Sequence, residues 1–295
     1  MSILQKVSAL EKLADRLTDE AVALLAQLGD EAKVLAGGQS LIPMLSLRLA
    51  VFDHLVDIGR IGELSGVRVN GDTVTVGAGT TQSTIEASTE LAAAVPLLSR
   101  ATPLIGHFQI RNRGTVGGSL AHADPAAEYP AVALALAAEM EVLSPRGRRW
   151  LAAADFFTGF WSTALEPDEM LVNVRVPIWT GRCGFAIREF ARRHGDFAVA
   201  GAVVAVRLDA DDRVERCSIA LIGMGSAPVR ATRAEAAVVA GDLVPRAADD
   251  VGAISVADLE DIPSDLHGSA DYRKQVGAAM VTRAWADAMT EATNA

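Results

Sequence analysis

Two glycine-rich loops constrain this chain more than any other feature. The first reads Leu35, Ala36, Gly37, Gly38, Gln39, Ser40, Leu41, Ile42; the second reads Arg113, Gly114, Thr115, Val116, Gly117, Gly118, Ser119. Each follows an apolar stretch with the character of a strand. Paired glycines let the main chain turn tightly and bring N–H groups against an anion with no Cβ in the way. One such loop is an ordinary hairpin or loop feature. Two of them predict a pair of main-chain cradles closing on one elongated phosphate ligand. The Ser40, Thr115 and Ser119 hydroxyls and the Gln39 amide add donors with little side-chain entropy to lose. The pattern is neither a P-loop, since no Gly-Lys-Ser/Thr triplet occurs, nor the Gly-x-Gly-x-x-Gly fingerprint of a doubly wound dinucleotide fold.

Composition narrows the rest. A chain of 295 residues exceeds one compact core and predicts two domains. Lys and Arg total 27 against 37 for Asp and Glu, a formal charge of −10 without a basic stripe, which argues against a nucleic-acid partner. Cys183 and Cys217 lack metal-site spacing, so no metal ligand set, disulfide framework or iron–sulfur cluster is expected. No basic-then-apolar leader pattern opens the chain, and charge or glycine interrupts the long apolar segments. A cytoplasmic location without membrane insertion is therefore expected.

Periodicity predicts a helix from Thr18 to Leu28, capped by Thr18, then a strand at 33–36, a helix at 43–49 and a strand at 55–58. A hairpin turns at Gly71 and Asp72. Helices follow at 82–91 and 95–101. Asp124 and Pro125 predict the cap and first residue of another helix. Strands at 139–143 and 170–176 flank a loop at 155–157. Three antiparallel strands, 185–190, 200–208 and 213–221, and helices at 233–239 and 272–289 complete the chain. The last helix would bury Val276, Ala279, Met280 and Ala284.

Taken together, Ala36 to Pro43, Ile110 to Ser119 and His122-Ala123-Asp124-Pro125 resemble the FAD-binding medium subunit of molybdenum hydroxylases. The type is that of aerobic carbon monoxide dehydrogenase, in the xanthine dehydrogenase family. Arg192 to Ala198 and Asp271-Tyr272-Arg273 extend the resemblance over nearly all of the chain after Thr18. It implies an α+β chain: a two-part FAD-binding domain of the vanillyl-alcohol oxidase (PCMH) type at 1–178, divided near residue 60, then a smaller α+β domain at 182–290. The resemblance implies that residues 35–42 and 115–119 hold the FAD pyrophosphate. It puts Ile105 and Leu171 against the cofactor, Glu128 in polar contact with it, Arg188 at or near a basic position beside the flavin, and Phe197 near the isoalloxazine ring. Residues 2–16 depart from relatives, which begin with an aromatic-rich strand; here the stretch has helical character.

The implied function is electron transfer within a heteromer. A large partner with the molybdenum cofactor would oxidise substrate, and a small partner would carry [2Fe–2S] clusters. Electrons would pass through FAD here to a quinone, NAD or dioxygen. No catalytic acid, base or nucleophile is expected in this chain. Two alternatives share the fold: a stand-alone flavin-dependent reductase or oxidase, and a scaffold with a decayed FAD site. Among single residues, His122 reads as structural, while Arg111 and Arg113 could offset ligand charge or pin their loop. His194-Gly195-Asp196 reads as a tight turn placing Phe197. Tyr272-Arg273-Lys274 reads as a solvated helix face, and Phe156, Phe157, Phe160 and Trp161 as core or interface residues.

Overall fold

A computed structural model describes residues 18–243 and 247–295. The atypical stretch 2–16 lies outside the described residues. Helix α1 (Thr18–Leu28) carries Asp19 and Glu20 in its first turn, where they complement the helix dipole. It buries Ala21, Val22 and Leu25. Strands β1 (Ala32–Leu35) and β2 (His54–Asp57) pair in parallel, and the connection between them carries α2 (Leu41–Ser46). This small lobe shares a core with Leu143, Met170 and Val172 of the next one.

The second lobe holds β3 (Val67–Asn70), β4 (Thr73–Gly77), β5 (Glu139–Ser144) and β6 (Gly147–Ala152), a small hairpin of β7 (Phe157–Gly159) and β8 (Ser162–Thr163), and β9 (Met170–Pro177). The large sheet runs β3-β4-β9-β5-β6, with antiparallel pairing throughout. Short helices are carried by this lobe: α3 (Gln82–Ala87), α4 (Thr89–Ala94), α5 (Pro96–Ala101), α6 (Phe108–Arg111), α7 (Val116–His122), α8 (Glu128–Ala135) and α9 (Ala153–Phe156).

A four-stranded antiparallel sheet follows, ordered β10 (Arg182–Phe190), β11 (Ala200–Leu208), β12 (Val214–Ile222), β13 (Val229–Arg230). Helices α10 (Thr232–Ala240), α11 (Ala248–Ala257) and α12 (Ala270–Asn294) complete the chain. Both faces of this sheet are buried, which explains the apolar run of β11 from 200 to 206. Side chains alternate across a strand. Val203 and Ala205 join the core of the second lobe, whereas Ala202, Val204 and Val206 join the core beneath α12. Helix α12 lies directly on β10: a Cβ at Gly184 would stand 1.8 Å from the Ala288 carbonyl oxygen. No helix among the described residues is long and apolar enough to cross a membrane.

Several local expectations are corrected. Thr18 is the first described residue of α1, already helical, and its hydroxyl donates to Glu63 at 2.9 Å. The predicted helix at 82–91 is two helices, because Ser88 turns extended and caps the second by accepting from the Leu91 amide. The 155–157 loop begins instead as the end of α9. Helix α8 starts at Glu128, not after Asp124, which places Pro130 in its first turn, where it breaks no helical hydrogen bond. Ala279 is exposed; Arg273, Gly277, Val281, Trp285 and Ala288 are among the residues that line the buried side of α12. Helix α11 was not among the expected elements.

Candidate functional site

Three loops meet at one place. Residues 36–40 leave β1, residues 77–81 leave β4, and residues 113–119 enter α7. A Cβ at Gly37 would stand 2.1 Å from the Arg113 carbonyl oxygen and 2.8 Å from the Gly114 Cα. One at Gly117 would stand 2.4 Å from the Cβ of Ala78. The loops therefore touch main chain to main chain, and no other residue type fits at those two positions without displacement. Hydrogen bonds tie the second and third loops: Gln82 N–H to Gly114 O at 2.8 Å, Val116 N–H to Thr80 O at 3.0 Å, and Gly117 N–H to Ala78 O at 2.8 Å. The loop at 77–81 is built of small residues, Gly77-Ala78-Gly79-Thr80-Thr81.

Gly38 adopts a left-handed φ of 72°, which opens the turn into α2. The Gln39 amide donates to the Gly37 carbonyl at 2.9 Å, so it braces the loop from within. Among the described residues, the amides of Gly37, Gly38, Gln39 and Ser40 donate to no main-chain carbonyl. Leu35, Ala36, Ser40 and Leu41 are half-buried and Ile42 is exposed. Across the junction, Thr115 caps α7: its Oγ1 accepts from the Gly118 amide at 3.0 Å, leaving the hydroxyl proton for an outside acceptor. Gly118 lies against the Ala36 Cβ position, and Val116 is buried beneath it. Ser119 is half-buried one turn along. Unpaired amides, hydroxyl protons and closely packed glycines suit an elongated anion.

Arg111 resolves in favour of loop support. It forms a two-pronged pair with Glu86 at 2.8 and 3.1 Å and donates to the carbonyls of Ile105 and Gly106. Arg113 is exposed and forms no ion pair among the described residues. Ile105 is half-buried against the second-lobe core, and Leu171 is buried within it.

Beyond α7, Ala123 takes a left-handed φ of 54° and the chain turns into an acidic corner. Asp124 is neither a helix cap nor free. Its Oδ1 accepts from the Ala126 amide at 2.8 Å and its Oδ2 from the Trp161 indole at 3.1 Å. His122 stacks on Trp161 with ring centres 5.8 Å apart, and burial lowers its pKa. Phe156 and Phe157 are buried, whereas Phe160 and Trp161 are exposed.

Glu128 opens α8 and is buried, which raises its carboxyl pKa to about 8, helped by the negative field of Glu189. Glu189 was not singled out from sequence. The strand alternation of β10 turns it toward the second lobe, and burial raises its pKa to about 7. Its partner in the sheet is Gly201, where a Cβ would stand 2.9 Å from the Glu189 Cβ. Arg188, one residue earlier, points to the opposite face, where it pairs with Asp287 of α12 at 2.6 Å. The structure therefore does not bring Arg188 to the loops. Alternate charged residues on one strand held the signal.

Phe197 is 64% exposed on the loop after β10. That loop is anchored at both ends. The Val199 amide donates to Phe190 O at 2.7 Å, and Gly195 packs on the His107 ring, which meets His194 edge-on at 5.8 Å. Arg273, expected on a solvated face, is buried. It donates to the Val199 carbonyl and pairs with Asp265 at 2.7 and 2.8 Å.

Residues 13–179 match the FAD binding domain in molybdopterin dehydrogenase, and residues 185–288 match the CO dehydrogenase flavoprotein C-terminal domain. The 6-hydroxypseudooxynicotine dehydrogenase complex subunit alpha of Paenarthrobacter nicotinovorans is 40% identical over 274 residues, 93% of this chain and 92% of that protein. The carbon monoxide dehydrogenase medium chain of Hydrogenophaga pseudoflava is 39% identical over 271 residues, 92% and 94% of the two chains. The solved carbon monoxide dehydrogenase of Hydrogenophaga pseudoflava that lacks the Mo-pyranopterin moiety superposes with a TM-score of 0.88 at 41% identity, over 92% of this chain and 94% of that one. The expected α+β architecture and FAD as the cofactor agree with these matches. The chain belongs to the family of FAD-binding medium subunits of molybdenum hydroxylases of the carbon monoxide dehydrogenase type.

Proposed function

We propose that this chain is the electron-transfer flavoprotein of a three-component molybdenum hydroxylase. A large partner with the molybdenum cofactor oxidises substrate, and a small partner carries [2Fe–2S] clusters. Electrons leave through this chain to an external quinone, NAD or dioxygen. The observation that carries this reading is the glycine junction, whose Cβ positions are closed by neighbouring main chain at Gly37 and Gly117. Residues 35–42 and 115–119 would hold the FAD diphosphate through main-chain amides and the Thr115, Ser119 and Ser40 hydroxyls. Ile105 and Leu171 would support the cofactor from the second lobe, with Glu128 as a polar contact and Phe197 near the ring.

Bound FAD supplies a carrier able to exchange one or two electrons. The chain's own task is to bind it, orient it and limit water. The cofactor-binding part spans 1–178 in this reading and the C-terminal part 182–290, acting in the cytoplasm. Tagged chain purified from its source should bring down one partner containing molybdenum and one with a [2Fe–2S] electron paramagnetic resonance signal. A lone flavoprotein that turns over substrate without partners would contradict the proposal and favour a stand-alone reductase or oxidase.

A further inference from the structure

Arg207 and Arg216 stand directly opposite each other on β11 and β12, with Cys183 of β10 next in the same row. Opposed residues of antiparallel strands share a face. Here it is the face that packs on the second lobe through Phe185, Val203 and Ala205. The row lies where that face runs out into solvent: Arg216 is exposed, and the Arg207 side chain is 29% exposed. Trp179, in the segment leading from β9 into β10, is buried and meets Phe185 edge-on at 6.2 Å. The guanidinium carbon of Arg216 lies over the Trp179 ring, 3.9 Å from its centre, an attraction that fixes the guanidinium in place. Arg207 Cδ stands 3.9 Å from the Cβ position of Gly181 in the same segment.

Positive charge in this row is only partly answered. The register slips between Arg207 and Leu208, and Glu215, the additional residue of β12, accepts from one Arg207 amine at 3.0 Å. Arg216 forms no ion pair among the described residues. Other carboxylates are committed: Asp212 to Arg182 at 2.7 Å and Glu235 to Arg230 at 2.6 Å. Cys183 adds no negative charge, since its Sγ donates to the Thr180 carbonyl at 3.4 Å and burial raises its pKa. Burial, with the positive fields of Arg207 and Arg230, lowers the pKa of Arg216. Like charges directly opposite on neighbouring strands repel. Two further donors, Nε of Arg207 and Nε1 of Trp179, are buried without an acceptor. Donors and positive charge both exceed what this corner of the protein answers.

We infer that Arg207 and Arg216, the latter set by Trp179, form an anion site that takes inorganic phosphate or another tetrahedral oxyanion. None of these residues belongs to the glycine junction, so the site is separate from the proposed FAD site and stands without it. A tetrahedral oxyanion has oxygens for both guanidinium groups at once, through charge-assisted hydrogen bonds that the planar fork of arginine suits. Chloride offers a single point of contact. The bound anion offsets the repulsion between β11 and β12. Because the two guanidinium groups are brought together only by folding, the anion stabilises the folded chain by mass action.

The test is calorimetric titration of inorganic phosphate into the full-length chain at pH 7, with ionic strength held constant by sodium chloride and FAD present in excess to fill the glycine loops. The wild type should bind phosphate saturably, one per chain. Arg207→Gln and Arg216→Gln should each weaken binding at least about tenfold, the loss expected for one charge-assisted contact. Arg216→Lys, which keeps the charge without the planar fork, should also bind more weakly than wild type. Arg213→Gln, at an exposed arginine just before β12, should bind as wild type does. Far-UV circular dichroism checks that each variant is folded. No saturable phosphate binding, wild-type affinity in R216Q or R216K, or an equal loss in R213Q would overturn the inference. A chain that took no FAD would sink the FAD site and leave the comparison among these arginine variants readable.

Discussion

Gly37 lies against Arg113 so closely that a methyl at its Cβ would stand 2.1 Å from the Arg113 carbonyl oxygen. Real Cβ atoms do not approach oxygen this closely, so the loops at 36–40 and 113–119 pack as one unit through a position only glycine fills. The neighbour is main chain, with no side chain able to swing away.

Gly37→Val should part the two loops while sparing the C-terminal core. FAD affinity is expected to fall at least about 100-fold, equivalent to roughly 2.8 kcal/mol. Far-UV circular dichroism should stay close to wild type. Unchanged FAD affinity in this variant would show that the loops do not grip the ligand jointly.

A contrasting substitution addresses the fold alone. Gly184→Ala places a methyl 1.8 Å from the Ala288 carbonyl oxygen, where α12 crosses β10. Overpacking of this kind costs about 1–3 kcal/mol. Denaturant unfolding should show that loss, with saturating FAD still bound one per chain. A wild-type midpoint would mean that helix and sheet are less tightly apposed.

Burial of Glu128 makes a prediction for the apo chain with a definite sign. Glu128 titrates near 4.5 in an unfolded chain and near 8 when folded. Between those values the folded state holds a proton that the unfolded state has released. Stability is therefore highest below the lower value and declines as pH rises toward 8. Glu291 and Asp265 are held low by Arg100 and Arg273, so their contributions fade only at more acidic pH. Thermal melts from pH 5 to 8 should fall for wild type and be flatter for Glu128→Gln, which should melt higher at pH 8. Parallel curves for the two proteins would contradict this.

Arg273 ties the segment that carries Phe197. Arg273→Met removes the two-pronged contact with Asp265 and leaves the buried Val199 carbonyl without its donor. The expected loss is about 1–3 kcal/mol. Amide exchange should quicken in residues 195–199 and leave β5 and β9 unchanged. Arg273→Lys should recover only part of the protection, since a point charge cannot span both partners. Exchange as slow as wild type in R273M would assign the anchoring to the His107–Gly195 contact.

Much of this was legible in the sequence, for physical reasons. Glycines in pairs announced a close main-chain approach. The apolar run at 200–206 announced a strand, and the structure covers it on both faces. What failed was long-range. Asp124 followed by Pro125 matches a helix start locally, yet Asp124 is held by the Trp161 indole from 37 residues away. The Arg273 position reads as solvated by charge alone, and only the third dimension supplies Asp265 and the Val199 carbonyl. Arg188 and Glu189 show the sharpest limit. Resemblance pointed to this strand, but alternation decides which face each charge joins: Arg188 turns to α12 and pairs with Asp287, and Glu189 turns the other way.

Amide exchange on the full chain, with and without FAD, tests the central claim most directly. Residues 37–40 and 115–119 should gain protection together on saturation with one FAD per chain. Protection of one loop alone, or of neither, would contradict the account of two main-chain cradles closing on a single dinucleotide.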